Sequence, residues 1–408
     1  MLKKYLIYLP LIMISLLFLC YCHMKNRPAD PISDIQTAAE IPPDHIPPAA
    51  ASSSPAPRLY ASAACVMDAG SGRILYGKSE ASPLPMASTT KIMTCILALE
   101  NGNMEDPVTF SSKAASMPKV RLGAGKGKTF LLGDLLYSLM LESHNDTAVA
   151  IAEHLGDSVE GFAAMMNAKA AELGMSQTNF VTPNGLDAEG HASTPADMCR
   201  LASYACNNQT FLELIRTPSK TIRETSGKGS FSLTNHDAFL TSYKGAIGIK
   251  TGFTNKAGYC FVGAAQRNGL TLVSCVLGSG WPPNKSYKWA DTKALMNLGF
   301  ENFSMKNVPV RDLSVYSIAV ESGKAETVGI LQPEIPSFLL SDADAIDIRY
   351  SLPPKIQAPV RQGTAVGEIQ ILVNGSLLGS YPVYPSEDVE RQTFADIVYD
   401  IFHMFISF

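Results

Sequence analysis

Met86-Ala87-Ser88-Thr89-Thr90-Lys91-Ile92-Met93-Thr94 sets a hydroxyl and an ammonium three residues apart at the mouth of an apolar segment that continues to Leu99. Residues so spaced share one face of a helix, so Ser88 and Lys91 are neighbours if 89–99 is helical. A serine at such a place usually caps the helix. The lysine changes that reading, because an ammonium on an otherwise apolar helix is costly to bury without a partner or a task. Burial and a neighbouring cation push such a lysine toward its neutral form, which can accept a hydroxyl proton. A nucleophile with a base beside it is the arrangement for covalent acyl transfer. The stretch also bears on the fold, since a helix apolar nearly all round must be covered on every side.

The flanking sequence supplies that cover. Strands are expected at 61–68 and 73–76, joined by a Gly70-Ser71-Gly72 turn. Helices are expected at 89–99, 131–141, 147–154 and 159–173. Thr194-Pro195-Ala196-Asp197 reads as an N-cap, a first-turn proline and an acidic third residue opening a helix to Ala205. Strands follow at 246–251, 258–265 and 270–277, then a helix at 289–298. A strand pair, helices, more strands and a last helix indicate an α+β domain built on an antiparallel sheet flanked by helices.

Two more short motifs fall inside this domain. Ser143-His144-Asn145 lies between two apolar segments, a place for a loop lining a cleft, where a hydroxyl and an amide can connect Lys91 to a leaving group. His144 invites a Ser-His-Asp reading, but no G-x-S-x-G elbow is present. Lys250-Thr251-Gly252 closes an apolar strand. Glycine there lets another backbone come close, such as a peptide adding along the strand edge, and Lys250 with Thr251 suits a terminal carboxylate. Gly123-Ala124-Gly125-Lys126-Gly127-Lys128-Thr129 looks phosphate-friendly, but a P-loop needs glycine where Leu122 stands, so no nucleotide is expected.

Outside the domain the texture changes. Residues 5–22 are almost unbroken apolar sequence behind Lys3 and Lys4, a targeting segment (1–25) that is either a signal peptide or a retained anchor. The run lacks a small-x-small site just after it, and Ala49-Ala50-Ala51 lies too far downstream. Residues 26–58, crowded with Pro, Ala and Ser, read as a semi-extended spacer. The catalytic domain spans 59–303. Residues 304–388 read as a small all-β domain with strands at 308–313, 317–320, 345–350 and 368–373, and Asn374-Gly375 as a hairpin turn. Residues 389–408 form an amphipathic helix suited to lying on a membrane surface, although Asp396 and Asp400 make its polar face acidic.

The 408 residues, 46% hydrophobic and 17% charged, can build a sizeable core, and a net charge of -4 argues against nucleic acid as a partner. Of the eight cysteines, those within apolar segments read as buried thiols rather than disulfides. No C-x-x-C or H-E-x-x-H occurs, so neither metal nor cofactor is expected.

In these blocks, together with Glu142-Ser143-His144-Asn145-Asp146, Gly248-Ile249-Lys250-Thr251-Gly252-Phe253-Thr254, Pro183-Asn184-Gly185-Leu186-Asp187 and Lys256-Ala257-Gly258-Tyr259-Cys260, the chain resembles the D-alanyl-D-alanine carboxypeptidases. These are the low-molecular-mass penicillin-binding proteins of the β-lactamase/DD-peptidase fold. The resemblance runs from about Leu59 to the C-terminus. It implies Ser88 as acylated nucleophile, Lys91 as base, Ser143 and Asn145 as relay and positioning groups, and Lys250, Thr251, Gly252 and Phe253 as the substrate-binding strand. It further implies an oxyanion hole from the N–H groups of Ser88 and Phe253. Peptidoglycan stem peptides would be the substrate, β-lactams the inhibitors, and the extracytoplasmic face of the cytoplasmic membrane the location. Two alternatives share the motifs. A serine β-lactamase needs an E-x-x-L-N loop, which is absent; a penicillin-binding sensor or scaffold would acylate without turnover.

Overall fold

Strand β1 (Ala63–Asp68) is buried along its whole length, which requires cover on both faces of the sheet because successive side chains point opposite ways. It is an interior strand of a five-stranded sheet. With β2 (Ile74–Lys78), β3 (Ala246–Thr254), β4 (Gly258–Arg267) and β5 (Leu270–Leu277), the spatial order is β2-β1-β5-β4-β3, and every pair is antiparallel. The register aligns Cys65 with Cys275 and Cys275 with Val262. That pleat enters a core shared with Met198 and Cys199. The opposite pleat meets the last helix of the domain, where Phe261 lies edge-on to Trp289 with ring centroids 4.6 Å apart.

The computed structural model describes Ser15, Gln36–Thr37, Ile41, Asp44–Ile46 and residues 56–406. Apart from Ser15, the expected targeting segment lies outside the described residues. The chain divides into two units, one of residues 53–303 and one that joins the N-terminal residues to those from 304 onward.

In the first unit, α1 (Lys91–Asn101) runs through the core, with Ile92, Met93, Cys95, Ile96 and Leu97 buried. Each such large apolar side chain contributes roughly 1.5–3 kcal/mol on burial. The helix starts later than the expected Thr89. The Thr89 and Thr90 hydroxyls donate back to Met86 O (2.7 Å) and Ala87 O (2.8 Å), tightening Ala87–Thr90 into a 3₁₀ turn ahead of it.

The expected helix 131–141 is also broken up. An α-helical stretch, Leu132–Tyr137, widens into a π turn, Ser138–Glu142. The Ser138 hydroxyl sits inside that turn, 2.8 Å from both His144 Nδ1 and Thr147 Oγ1. Asn145 opens α2 (Asn145–Gly156) instead of belonging to a loop. Helix α3 (Val159–Glu172) follows, and α4 (Pro195–Ala205) starts as its sequence indicates, with Thr194 Oγ1 accepting from Asp197 N at 3.1 Å. Such a cap is worth about 1 kcal/mol. Helix α5 (Tyr287–Asn302) covers β4 and β5.

The second unit is β-rich, with its own core around Ile318, Val328, Ile348, Ile369 and Ile371. Gly367–Val373 pairs with Ser376–Val383 across Asn374-Gly375, both residues at positive φ (52° and 82°) as a primed hairpin turn requires. Two expectations need correction here. Residues 308–313 form no strand: Arg311 N donates to Tyr350 Oη (2.9 Å) rather than to a ladder. Nor is 26–58 only a spacer. Gln36–Thr37 pairs in parallel with Tyr316–Ser317, Asp44–Ile46 pairs antiparallel with Ile346–Ile348, and Ile41 is buried in this core. Asp44 is tied side chain to side chain, accepting from Tyr350 Oη at 2.7 Å and pairing with Arg311 at 2.6 Å. Prolines punctuating the segment disguise strands of two or three residues. The terminal helix α6 (Phe394–Ile406) exposes Phe394, Val398, Tyr399, Phe402 and Ile406 to solvent.

Candidate active site

The Ala87–Thr90 turn lies against the edge strand β3, and that contact builds the site. Ala87 is left-handed, with φ +50°. A Cβ on Gly252 would sit 3.0 Å from Ser88 N and 3.1 Å from Met86 O. The glycine of the third motif therefore admits the protein's own Ala87–Thr90 turn.

Lys91 is fully buried. Its Nζ lies 2.9 Å from Ser88 Oγ, 2.9 Å from Asn145 Oδ1 and 2.6 Å from Asn184 O. Burial, and then the charge of Lys250, hold its pKa well below the ordinary lysine value, partly opposed by Asp146. A neutral amine has two N–H bonds and one lone pair. The two carbonyl oxygens, Asn145 Oδ1 and Asn184 O, accept those hydrogens, leaving the lone pair directed at the Ser88 hydroxyl. The group is thus set to receive a proton from that hydroxyl.

Ser143 adopts the left-handed conformation, φ +67°, at the end of the π turn. Its hydroxyl is buried and has no hydrogen-bond partner among the described residues, although it lines the cleft beside Ser88. His144 is turned away into the Ser138–Thr147 knot and does not reach Ser88.

Lys250 and Thr251 come from β3. Lys250 is only 2% exposed, and burial pulls its pKa down to about 8, with Asp237 opposing and Lys288 reinforcing the shift. Asp237 in turn is pushed up to about 6 by burial, and among the described residues its Oδ2 has no hydrogen-bond partner. A cleft of about 430 Å³ is bounded by Ser88, Ser143, Asn145, Thr251 and Phe253.

Of the eight residues named from the sequence, six line this cleft, while Lys91 is buried against Ser88 and Lys250 is buried in β3 next to Thr251. Others were not legible in advance. Lys288 on α5 also lines the cleft, its Nζ 4.8 Å from the centres of both the Tyr259 and Trp289 rings. Glu142 and His236 form part of the rim, 2.7 Å apart, and Glu142 also accepts from Thr234 N. The backbone carbonyl of Asn184 is the third contact of Lys91. Its loop is held by His191, whose Nδ1 accepts from Val181 N (2.9 Å), leaving Nε2–H for Thr90 Oγ1 (2.9 Å). Burial holds that imidazole at a pKa of about 4, so it stays neutral.

Comparison with known proteins matches residues 49–280 to the family described as D-alanyl-D-alanine carboxypeptidase, and residues 303–391 to the C-terminal domain of penicillin-binding protein 5. The chain is 30% identical over 342 residues to the D-alanyl-D-alanine carboxypeptidase DacF of Bacillus subtilis, covering 82% of this chain and 87% of that one. Over 378 residues it is 28% identical to DacC of Escherichia coli, covering 86% and 89%. Among solved structures, the Streptomyces K15 DD-transpeptidase matches with 32% identity and a TM-score of 0.57, covering 61% of this chain and all of that one. Penicillin binding protein 5 of Haemophilus influenzae shares the fold over 83% of this chain and all of its own, with 24% identity and a TM-score of 0.67.

Proposed function

The chain belongs to the D-alanyl-D-alanine carboxypeptidase family, and from that membership we propose that Ser88 is its nucleophile and Lys91 its general base. The reaction is serine-type removal of the terminal D-alanine from peptidoglycan stem peptides. Lys91 takes the Ser88 hydroxyl proton as Oγ attacks the carbonyl carbon of the penultimate D-alanine. The oxyanion is held by the N–H groups of Ser88 and Phe253. The proton passes through the Ser143 hydroxyl, with Asn145 fixing the geometry, to the nitrogen of the departing D-alanine. Water then cleaves the Ser88 ester by the reverse relay. Lys250 and Thr251 hold the terminal carboxylate, and Lys288 adds a second positive charge near it. The observation that carries this reading is the Lys91 amine, buried and flanked by two carbonyl acceptors with its third contact on Ser88 Oγ.

The test is intact-mass measurement after penicillin exposure, run beside D-alanine release from a pentapeptide. One penicillin mass added per chain, with D-alanine released in its absence, is the expected result. Acylation without any D-alanine release would instead identify a penicillin-binding sensor.

The same measurement gives a pH profile. The second-order acylation rate reports the free enzyme. It should fall toward acid as Lys91 gains its proton. It should also fall above pH of about 8, as Lys250 loses the charge that attracts the carboxylate. A rate still rising at pH 9.5 would contradict the role given to Lys250.

We place the enzyme outside the cytoplasmic membrane, exported by its apolar N-terminal segment and held at the membrane surface by α6. The exposed rings of α6 support this; no described helix is long and apolar enough to span a bilayer. Removing residues 394–406 should abolish co-sedimentation with phospholipid vesicles, and undiminished binding would remove the helix from the anchoring role.

A further inference from the structure

Beyond the cleft, the β3–β4 hairpin carries exposed aromatic faces that the chemistry described so far does not use. With the carboxylate end of the peptide at Lys250 and Thr251, the remainder runs along the edge of β3 toward Thr254. The four residues preceding the scissile bond span ~13 Å when extended, about the run of chain from Thr251 to Asn255 in the hairpin turn. The start of the stem peptide therefore arrives at the hairpin tip, and in the cell wall that start is bonded to an N-acylated amino sugar.

Trp281 stands there. Its indole is 43% exposed, and its Nε1–H donates to Asn255 O at 2.9 Å, fixing the ring on the hairpin. The hairpin is shaped to receive it. Gly258 is at φ +68°, and a Cβ on it would come within 2.9–3.0 Å of the indole. Phe253, 38% exposed and 4.7 Å from the Tyr259 ring, links this face to the cleft. On the other side Tyr60, 57% exposed, stacks on Tyr287 at 3.7 Å. Rings held rigid in water gain free energy when a C–H-rich surface covers them, and the face of a pyranose is such a surface.

We propose that Trp281 is the centre of a sugar-stacking ledge that takes the amino sugar bearing the stem peptide, so that the enzyme favours glycan-linked over free pentapeptide. The proposal rests on the cleft being the stem-peptide site. The test compares kcat/KM for D-alanine release from a free pentapeptide and from the same peptide on its disaccharide, using the full chain. Trp281→Ala should lower the disaccharide value roughly three- to tenfold, mainly through KM, and leave the free-peptide value unchanged. Trp281→Phe, which keeps a ring, should lie between. Only two tryptophans occur, Trp281 and Trp289, so titrating a Trp289→Phe, Ser88→Ala chain with the disaccharide pentapeptide should shift the Trp281 fluorescence. Equal losses on both substrates would assign Trp281 a purely structural role and overturn the ledge. No difference between wild type and variants would overturn it as well. Absence of release from either substrate by the wild type would overturn the carboxypeptidase reading, and the ledge with it.

Discussion

Ser88→Ala abolishes both D-alanine release and covalent labelling by penicillin, while the protein keeps its fold. The expected loss is on the order of 10⁶-fold, the scale seen when a covalent serine nucleophile is removed. The alanine loses only an oxygen whose contacts are with Lys91 Nζ and, at 3.4 Å, Asn184 O. Stability should therefore change little, and an unaltered melting curve separates lost chemistry from lost structure. Penicillin can still occupy the cleft without bonding, so the decisive readout is the absence of added mass after denaturation. D-alanine release persisting within tenfold of wild type would remove Ser88 from the reaction.

The second large effect comes from a residue with no side chain. Gly185→Ala damages the site from behind. Gly185 is at φ +82°, and a Cβ there would overlap Ala87 O and come within 2.9 Å of Ser88 N. Left-handed strain and overpacking each cost about 1–3 kcal/mol. Relief is available only by moving the Ala87–Ser88 turn or the Asn184 carbonyl, which are two of the groups that set the geometry around Lys91. The catalytic unit should lose roughly 2–5 kcal/mol. Penicillin acylation should fall about 100-fold, as expected for an ångström-scale misplacement of a reacting group. A variant with wild-type acylation rate and melting temperature would show that the turn tolerates displacement.

The proposed catalytic motifs stand out in the sequence because acyl transfer would demand particular side chains at fixed backbone offsets: Ser88 with Lys91 across one turn, Ser143 with Asn145 astride a turned-away His144. The sheet was readable because β1, β4 and β5 are strongly apolar runs. What escaped was whatever depends on distant pairing or on the backbone itself. Lys288 and Asp237 reach the Lys250 charge from separate elements and belong to no local pattern. The Asn184 carbonyl has no residue-type signature, since any amino acid has one. In the π turn, Ser138-Leu139-Met140-Leu141-Glu142 has the apolar texture of a continuous helix, and the departure arises from Ser138 bonding forward to His144 and Thr147. The residues 308–313 alternate like a strand but spend their backbone donors on side chains such as Tyr350. The short strands near the N-terminus find their partners in residues so remote that no local window contains both.

That last pairing has a consequence for synthesis. Asp44 and Tyr350, bonded to each other, are separated by 306 positions, so the enzyme portion is in effect an insertion within the β-rich one. On the ribosome the inserted portion is fully made before the host can close its sheet. The early strands must wait, unpaired, through most of translation.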